Sequence, residues 1–223
     1  MSRDCVSRAT PSPPAGKRVN CHPFLEAVSP PWADILANLV SAIFSPPVLA
    51  AVMLVVAGAA TRLAATWIWA GLALATSVLA PISYLLWLRR RGLVSDLDVQ
   101  RRAERTRPLA FTLAALAATA AMLWLGAAPA LLRGLSAAHL AQTTLALAIT
   151  LRWKISMHGA AIAACVALLL YLIGPHAAPA LVAVPLVAWS RVRLHRHTPS
   201  QTLAGAALGG LVTWSVLLWI AMI

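Results

Sequence analysis

The sequence predicts an all-α protein, a polytopic transmembrane helix bundle of about six to seven helices. Of its 223 residues, 61% are hydrophobic and only 11% are charged, and the mean hydropathy is +0.80. Such a composition leaves too few polar residues to cover a soluble fold. Apolar runs also recur along the chain, most of them near the roughly 20 residues that a helix needs to cross a bilayer. We therefore expect the chain to be embedded in a membrane.

Seven apolar runs follow one another, and each is expected to form a helix. They lie at about 35–60, 64–88, 108–127, 134–151, 159–174, 178–189 and 202–223. The first contains Pro46 and Pro47, and the sixth is short and contains Pro185. Either can therefore be kinked, partly re-entrant or interfacial, so six crossings are the alternative to seven. Because the amino-terminal residues are polar and rich in proline and serine, we expect a mobile tail over 1–32 and one transmembrane domain over 33–223.

The distribution of basic residues predicts the orientation. If the runs alternate in direction, the tail and the loops 89–107, 152–158 and 190–201 emerge on one side, which then holds 16 of the 18 lysines and arginines. The positive-inside rule makes that side cytosolic. We expect an integral protein of a bacterial inner membrane with these loops in the cytosol. The net charge of +12 is then explained by orientation, and no nucleic-acid partner is expected.

Two of these loops combine cations with histidines. Lys154, Ser156 and His158 stand where an apolar helix is expected to begin, and exposed N–H groups there favour an anion. Ser156 can instead be only a helix cap. Arg191 and His197 lie in the last loop. Cations offset charge on phosphate oxygens, one imidazole can attack phosphorus and another can protonate the leaving oxygen, so phosphoryl transfer here requires no metal or other cofactor.

The loop 89–107 is densely charged in both signs. Its basic residues include Arg101, Arg105 and Arg107, and its acidic residues are Asp96, Asp98 and Glu104. Taken alone, this pattern also fits a solvated salt-bridge cluster next to anionic lipid headgroups.

The order and spacing of these residues resemble the type 2 phosphatidic acid phosphatase superfamily, membrane lipid phosphatases that share a helical core with vanadium haloperoxidases. The family pattern is Lys, six residues, Arg-Pro; then Pro-Ser-Gly-His; then Ser-Arg, five residues, His, three residues, Asp. The matching residues here are Arg107 and Pro108, then Ser156 and His158 within ISMH, then Ser190, Arg191 and His197. The resemblance spans roughly residues 85–215.

The resemblance implies a role for each matched residue. His197 would be the nucleophile that forms a phosphohistidine, and His158 would be the general acid for the leaving group. Arg107 and Arg191 would bind the phosphate, and Arg102 or Arg105 can take the place of Arg107, because RRAERTR allows several alignments with the first motif. Ser156 and the backbone near Met157 would donate hydrogen bonds to the phosphate.

Four positions differ from the family pattern. Gln100 replaces the family's lysine, Ile155 replaces its proline and Met157 replaces its glycine. Gln201 replaces the aspartate that orients the nucleophilic histidine. Lys154 or Arg101 can supply the missing cation. Asp96 or Asp98 can orient His197 from another loop, or the amide oxygen of Gln201 can accept its Nδ1–H without providing a charge.

We therefore expect a metal-independent phosphatase that hydrolyses a membrane lipid phosphate or isoprenyl diphosphate. Two alternatives remain. Gln100 and Gln201 also fit a catalytically impaired relative that binds or transports lipid phosphates. The stretch DLDVQRRAERTRP also resembles the aspartate-rich loop of magnesium-dependent prenyltransferases, although no acidic residue follows Glu104 to form a second such loop.

Overall fold

A computed structural model describes residues 30–95, 104 and 106–222, and these residues are helical without any β-strand. The α-helices are α1 Pro31–Ile43, α2 Pro46–Thr61, α3 Ala64–Leu74, α4 Ala80–Arg90, α5 Thr106–Leu125, α6 Ala130–Thr150, α7 Met157–Ile173, α8 Ala183–Arg193 and α9 Pro199–Met222. One π-helical turn, Ala75–Leu79, joins α3 to α4, and a 3-10 helix, Gly174–Val182, joins α7 to α8. The all-α prediction is confirmed. Most of the expected tail lies outside the described residues.

Prolines and one glycine divide the apolar runs. α1 and α2 meet at an angle of 47° where Pro46 and Pro47 begin α2, positions at which a missing N–H costs no helical hydrogen bond. α7 ends at Gly174, whose φ of 60° suits glycine. The chain then runs through the 3-10 helix, and α8 packs back against α7. The sixth run is therefore a broken return segment.

Fewer than seven of the described helices are long and apolar enough to cross a membrane. Four described helical segments could cross a membrane, and the bent α1–α2 pair would make a fifth. One of the four is Met157–Arg193, which counts once although α8 folds back on α7. α6 has 21 residues but is not among them. Its Arg133, His139 and Gln142 lower its hydropathy, although it packs against α5 and α9 inside the bundle.

α7 lies at the centre of the bundle and runs parallel to α9. It packs most extensively against α9 and also contacts α2 and α8. Glycines bring the two backbones close: a Cβ on Gly205 would collide with the Ser156 carbonyl, and one on Gly209 with the Ala160 carbonyl. Since both contacts advance by four residues along both helices, α7 and α9 begin side by side at one end of the bundle.

The helix ends that flank the expected site loops lie at this same end of the bundle. Short connections at 62–63 and 126–129 make α2 with α3, and α5 with α6, antiparallel pairs. The ends of α4, α6 and α8 and the beginnings of α5, α7 and α9 therefore share one end. Arg193 Nε donates to Asp34 Oδ1 at 2.8 Å and places the start of α1 there too.

Candidate active site

A tight helix ending positions His197. At the end of α8, His195 N donates to the Val192 carbonyl and Arg196 N donates to the Arg191 carbonyl, the paired bonds of a Schellman motif. His195 occupies the left-handed position, at φ 52°, and is exposed. His197 N donates to the same Arg191 carbonyl at 3.2 Å. The chain therefore folds back over α8 and buries the His197 side chain to 8% exposure.

Gln201 determines the tautomer of His197. Its Oε1 lies 3.1 Å from His197 Nδ1 and accepts a hydrogen bond from the Thr198 backbone N–H at 3.2 Å. Because a backbone N–H can only donate, the Gln201 atom shared by both contacts is the oxygen. His197 Nδ1 must then carry a proton in its neutral form, and Nε2 carries the lone pair.

The start of α7 supplies the second histidine. Ser156 is the helix cap, and its Oγ accepts from Gly159 N at 3.2 Å. Its own N–H donates to the Gln201 carbonyl at 3.2 Å and so ties this loop to the start of α9. His158 follows in the first turn of α7 and is 7% exposed. Both histidines are therefore buried at the same end of the bundle, on adjacent chain segments.

Lys154 joins the two loops a second time. Its Nζ donates to the Arg196 carbonyl at 2.6 Å, which holds the ammonium one residue from His197. The side chain is half-buried. The cation suggested by the sequence as a replacement for the family's lysine is therefore held beside the histidine loop.

Arg191 is buried in the last turn of α8, where the helix dipole favours a cation. Its side chain is 2% exposed, and Nη1 donates to Ser41 Oγ in α1 at 2.6 Å. Sequence reasoning missed Ser41, because nothing in an apolar run distinguishes a serine that binds arginine from one that packs. The contact shows that α1 takes part in the site.

The first loop contributes less to the described geometry. Arg107 is exposed in the first turn of α5. Glu104 Oε2 accepts from Ser95 N at 2.7 Å and from Ser95 Oγ at 2.9 Å. Other candidates lie outside the described residues: Asp96, Asp98, Gln100, Arg101, Arg102 and Arg105. The structure thus joins two of the three loops, and the roles of Asp98, Arg105 and Arg107 stay predictions.

The described part of the site is cationic. It contains Lys154 and Arg191 with two histidines, while Asp34 pairs with Arg193. Among the described residues, no three histidine, cysteine or acidic side chains come together as a metal site. The arrangement gathers cations and hydrogen-bonding groups at a helix amino terminus, which suits an oxyanion.

Comparison with known proteins agrees with the motifs in the second half of the chain. The family model of the PAP2 superfamily, the type 2 phosphatidic acid phosphatases, matches residues 128–223. The match includes His158, Arg191 and His197 but not Arg107. No curated protein and no solved structure gives a significant match. Members of the superfamily are generally phosphatases. Residues 128–223 are therefore similar to the PAP2 superfamily, in agreement with the resemblance seen in the sequence.

Proposed function

We propose that the protein is an integral-membrane phosphatase that cleaves phosphate from a membrane lipid through a phosphohistidine on His197. The observation that carries the proposal is the Gln201 contact, which fixes a proton on Nδ1 and leaves the lone pair on Nε2. A buried imidazole in this tautomer, next to cations at a helix terminus, is suited to attack phosphorus.

The first step forms the phosphohistidine. His197 Nε2 attacks phosphorus, the bond from phosphorus to the lipid oxygen breaks, and protonated His158 gives its proton to that oxygen. The Arg191 guanidinium and the Lys154 ammonium offset charge on the phosphoryl oxygens. Gln201 Oε1 accepts from Nδ1–H throughout and keeps the ring oriented.

The second step releases phosphate. Neutral His158 accepts a proton from water as the water oxygen attacks phosphorus, and the bond between phosphorus and Nε2 breaks. His158 is then protonated again and His197 is neutral. The cycle consumes one water and yields a lipid alcohol from a monoester, or a monophosphate from a diphosphate.

The test is a phosphate-release assay on the purified full chain. The panel is phosphatidic acid, phosphatidylglycerol phosphate and an isoprenyl diphosphate, each with and without EDTA. We expect release from at least one lipid in EDTA and its loss in His197→Ala. The matched control is His195→Asn, an exposed histidine two residues away whose left-handed backbone asparagine tolerates. Undiminished release by His197→Ala would refute the nucleophile assignment.

A second candidate function is a lipid-phosphate binding or transport protein without turnover. The neutral Gln201 favours it, because a glutamine stabilises an imidazolium less than an aspartate does. Rapid quench with a labelled lipid phosphate separates the two: a trapped phosphohistidine supports the phosphatase, whereas binding without it supports the binding protein. Release that requires magnesium and an acceptor lipid would instead support a prenyltransferase.

A further inference from the structure

A cavity of about 80 Å³ lies inside the bundle, between α2, the end of α3, the π-helical turn, α5, α6 and α7. It is larger than the 10–15 Å³ or so that one water molecule needs. Met157, in the first turn of α7, is in its wall. The cavity therefore reaches the first turn of α7, the turn that also carries His158.

The cavity wall is apolar with one polar side. Among the described residues that form it, none is a lysine, arginine, aspartate or glutamate. Most of the wall is alanine, leucine and methionine, while α6 contributes a polar stripe of Ser136, His139, Gln142 and Thr143. A charged phosphate would enter without a counter-charge, at a cost of several kcal/mol. The wall fits a neutral, chain-bearing molecule with one hydrogen-bonding group.

His139 is one of the polar side chains that can meet such a group. Gln142 Nε2 already donates to Thr213 Oγ1 at 2.7 Å, and Thr119 Oγ1 already lies 2.7 Å from Thr76 Oγ1. In the described part of the chain no hydrogen bond is found for the imidazole of His139, which lines the cavity. An ionisable residue at this depth is costly without a partner, so its presence indicates a ligand or water.

Two helix irregularities adjoin the cavity. Pro46, at the 47° break between α1 and α2, lines one wall, and Ser77, in the π-helical turn, lines another. Such turns occur often at functional sites, and interrupted membrane helices often form binding sites. These irregularities support the interpretation of the cavity as a ligand-binding site.

We infer that the cavity binds a neutral lipid alcohol, whose hydroxyl exchanges a hydrogen bond with His139. This inference rests on the proposed function for the source of the alcohol. Hydrolysis of a lipid phosphate monoester at the candidate active site leaves an uncharged alcohol, whereas a diphosphate leaves a charged monophosphate that this cavity disfavours. The cavity thus favours a phosphate monoester as substrate.

The test measures equilibrium binding of tritiated geraniol, a short prenyl alcohol, to the purified full chain in detergent. We expect saturable binding that excess geranyl phosphate displaces poorly. His139→Leu should weaken binding about three- to tenfold, the effect of one hydrogen bond. Ala161→Phe should fill the cavity and abolish it. The matched control is His176→Leu, which removes an exposed histidine outside the cavity and should change nothing.

Equal binding in the wild type, His139→Leu and Ala161→Phe would overturn the inference, as would equal displacement by geranyl phosphate. If Ala161→Phe is not monodisperse, Ala164→Leu replaces it as the filling variant. Because binding is measured without turnover, an inactive protein that still binds geraniol would refute only the phosphatase. An active protein that does not bind geraniol would refute only the alcohol site.

Discussion

In the proposed mechanism, Gln201 performs one of the two functions of the family's aspartate. Its oxygen contacts His197 Nδ1 and would orient the ring, but it would bring no negative charge to the imidazolium that forms as phosphorus is attacked. The Thr198 N–H holds the amide in this orientation. Variants at position 201 can therefore test separately the orientation of the His197 ring and the effect of a negative charge beside it.

We expect Gln201→Leu to lower kcat for phosphate release about tenfold to hundredfold, because the ring loses the bond that fixes its tautomer. Gln201→Glu keeps the shape and adds a charge. A carboxylate there raises the pKa of the His197 imidazole, so the acid limb of kcat should move to higher pH while the plateau rises. A pH–rate profile of both variants checks this. Identical profiles for Gln201→Leu and the wild type would contradict the orienting role.

Ser41 positions Arg191 and so acts on phosphate binding through another residue. Ser41→Ala removes the 2.6 Å contact to Nη1 of a guanidinium that is 2% exposed. Because a hydrogen bond to a charged group contributes about 1.5–3 kcal/mol, we expect KM to rise about tenfold or more with a smaller change in kcat. The control is Ser45→Ala, whose side chain makes no cap bond to α2. A change confined to kcat would contradict the positioning role.

At the level of residues, the sequence predicted the site residues whose spacing matches a motif. Ser156, His158, Arg191 and His197 were all chosen from spacing, and the fold brings their two loops together. Ser41 was not predictable, since its role depends on how α1 crosses α8 some 150 residues later. The tautomer of His197 likewise required the Thr198 contact.

Among the elements, the α7–α9 contact determines how close the two histidine loops lie. Gly205 and Gly209 form a small-xxx-small pattern, which allows membrane helices to approach closely. Their missing side chains leave space for the carbonyls of Ser156 and Ala160. The pattern was visible in the sequence, but its partner helix was not.

We expect Gly205→Leu to force α9 away from Ser156, to lengthen the hydrogen bond from Ser156 N to the Gln201 carbonyl, and to lower thermal stability and phosphate release together. Overpacking of this kind costs about 1–3 kcal/mol. The matched control is Gly210→Ala on the same helix, whose Cβ would lie 3.7 Å from the Ala163 Cβ, an ordinary contact. Equal melting temperatures for Gly205→Leu and Gly210→Ala would rule out the close approach.

The boundaries of the elements were predictable only where a residue enforces them. Pro46 and Pro47 predicted the bend between α1 and α2, because proline removes a helical donor. The π-helical turn at 75–79 precedes Pro81, whose missing N–H and ring disturb the helix there, but a proline predicts a distortion and not its type. The break at Gly174 was predictable, because the fifth apolar run ends there and Pro175 and His176 separate it from the sixth. The 3-10 helix at Gly174–Val182 was not, because hydrophobicity does not distinguish it from the start of α8.

Across the whole molecule, helix alternation brings the loops after α4, α6 and α8 to one end. Arg62 lies at the other end, between α2 and α3, and His176 follows α7 there. Among the described residues, the lysines and arginines concentrate at the site end, and an excess of lysine and arginine marks the cytosolic side. The same lysines and arginines serve the proposed phosphate chemistry and the prediction of orientation. The orientation must therefore be measured independently of activity.

Single cysteines provide that measurement. In a background in which Cys5, Cys21 and Cys165 are replaced, Ser200→Cys places an exposed thiol at the site end and His176→Cys places one at the opposite end. In intact bacterial cells expressing the chain, a membrane-impermeant maleimide should label His176→Cys and not Ser200→Cys. Inverted vesicles should give the reverse. Because each variant is the other's control, labelling of both from one side would refute the alternation of helices, and an exchanged pattern would refute only the cytosolic assignment.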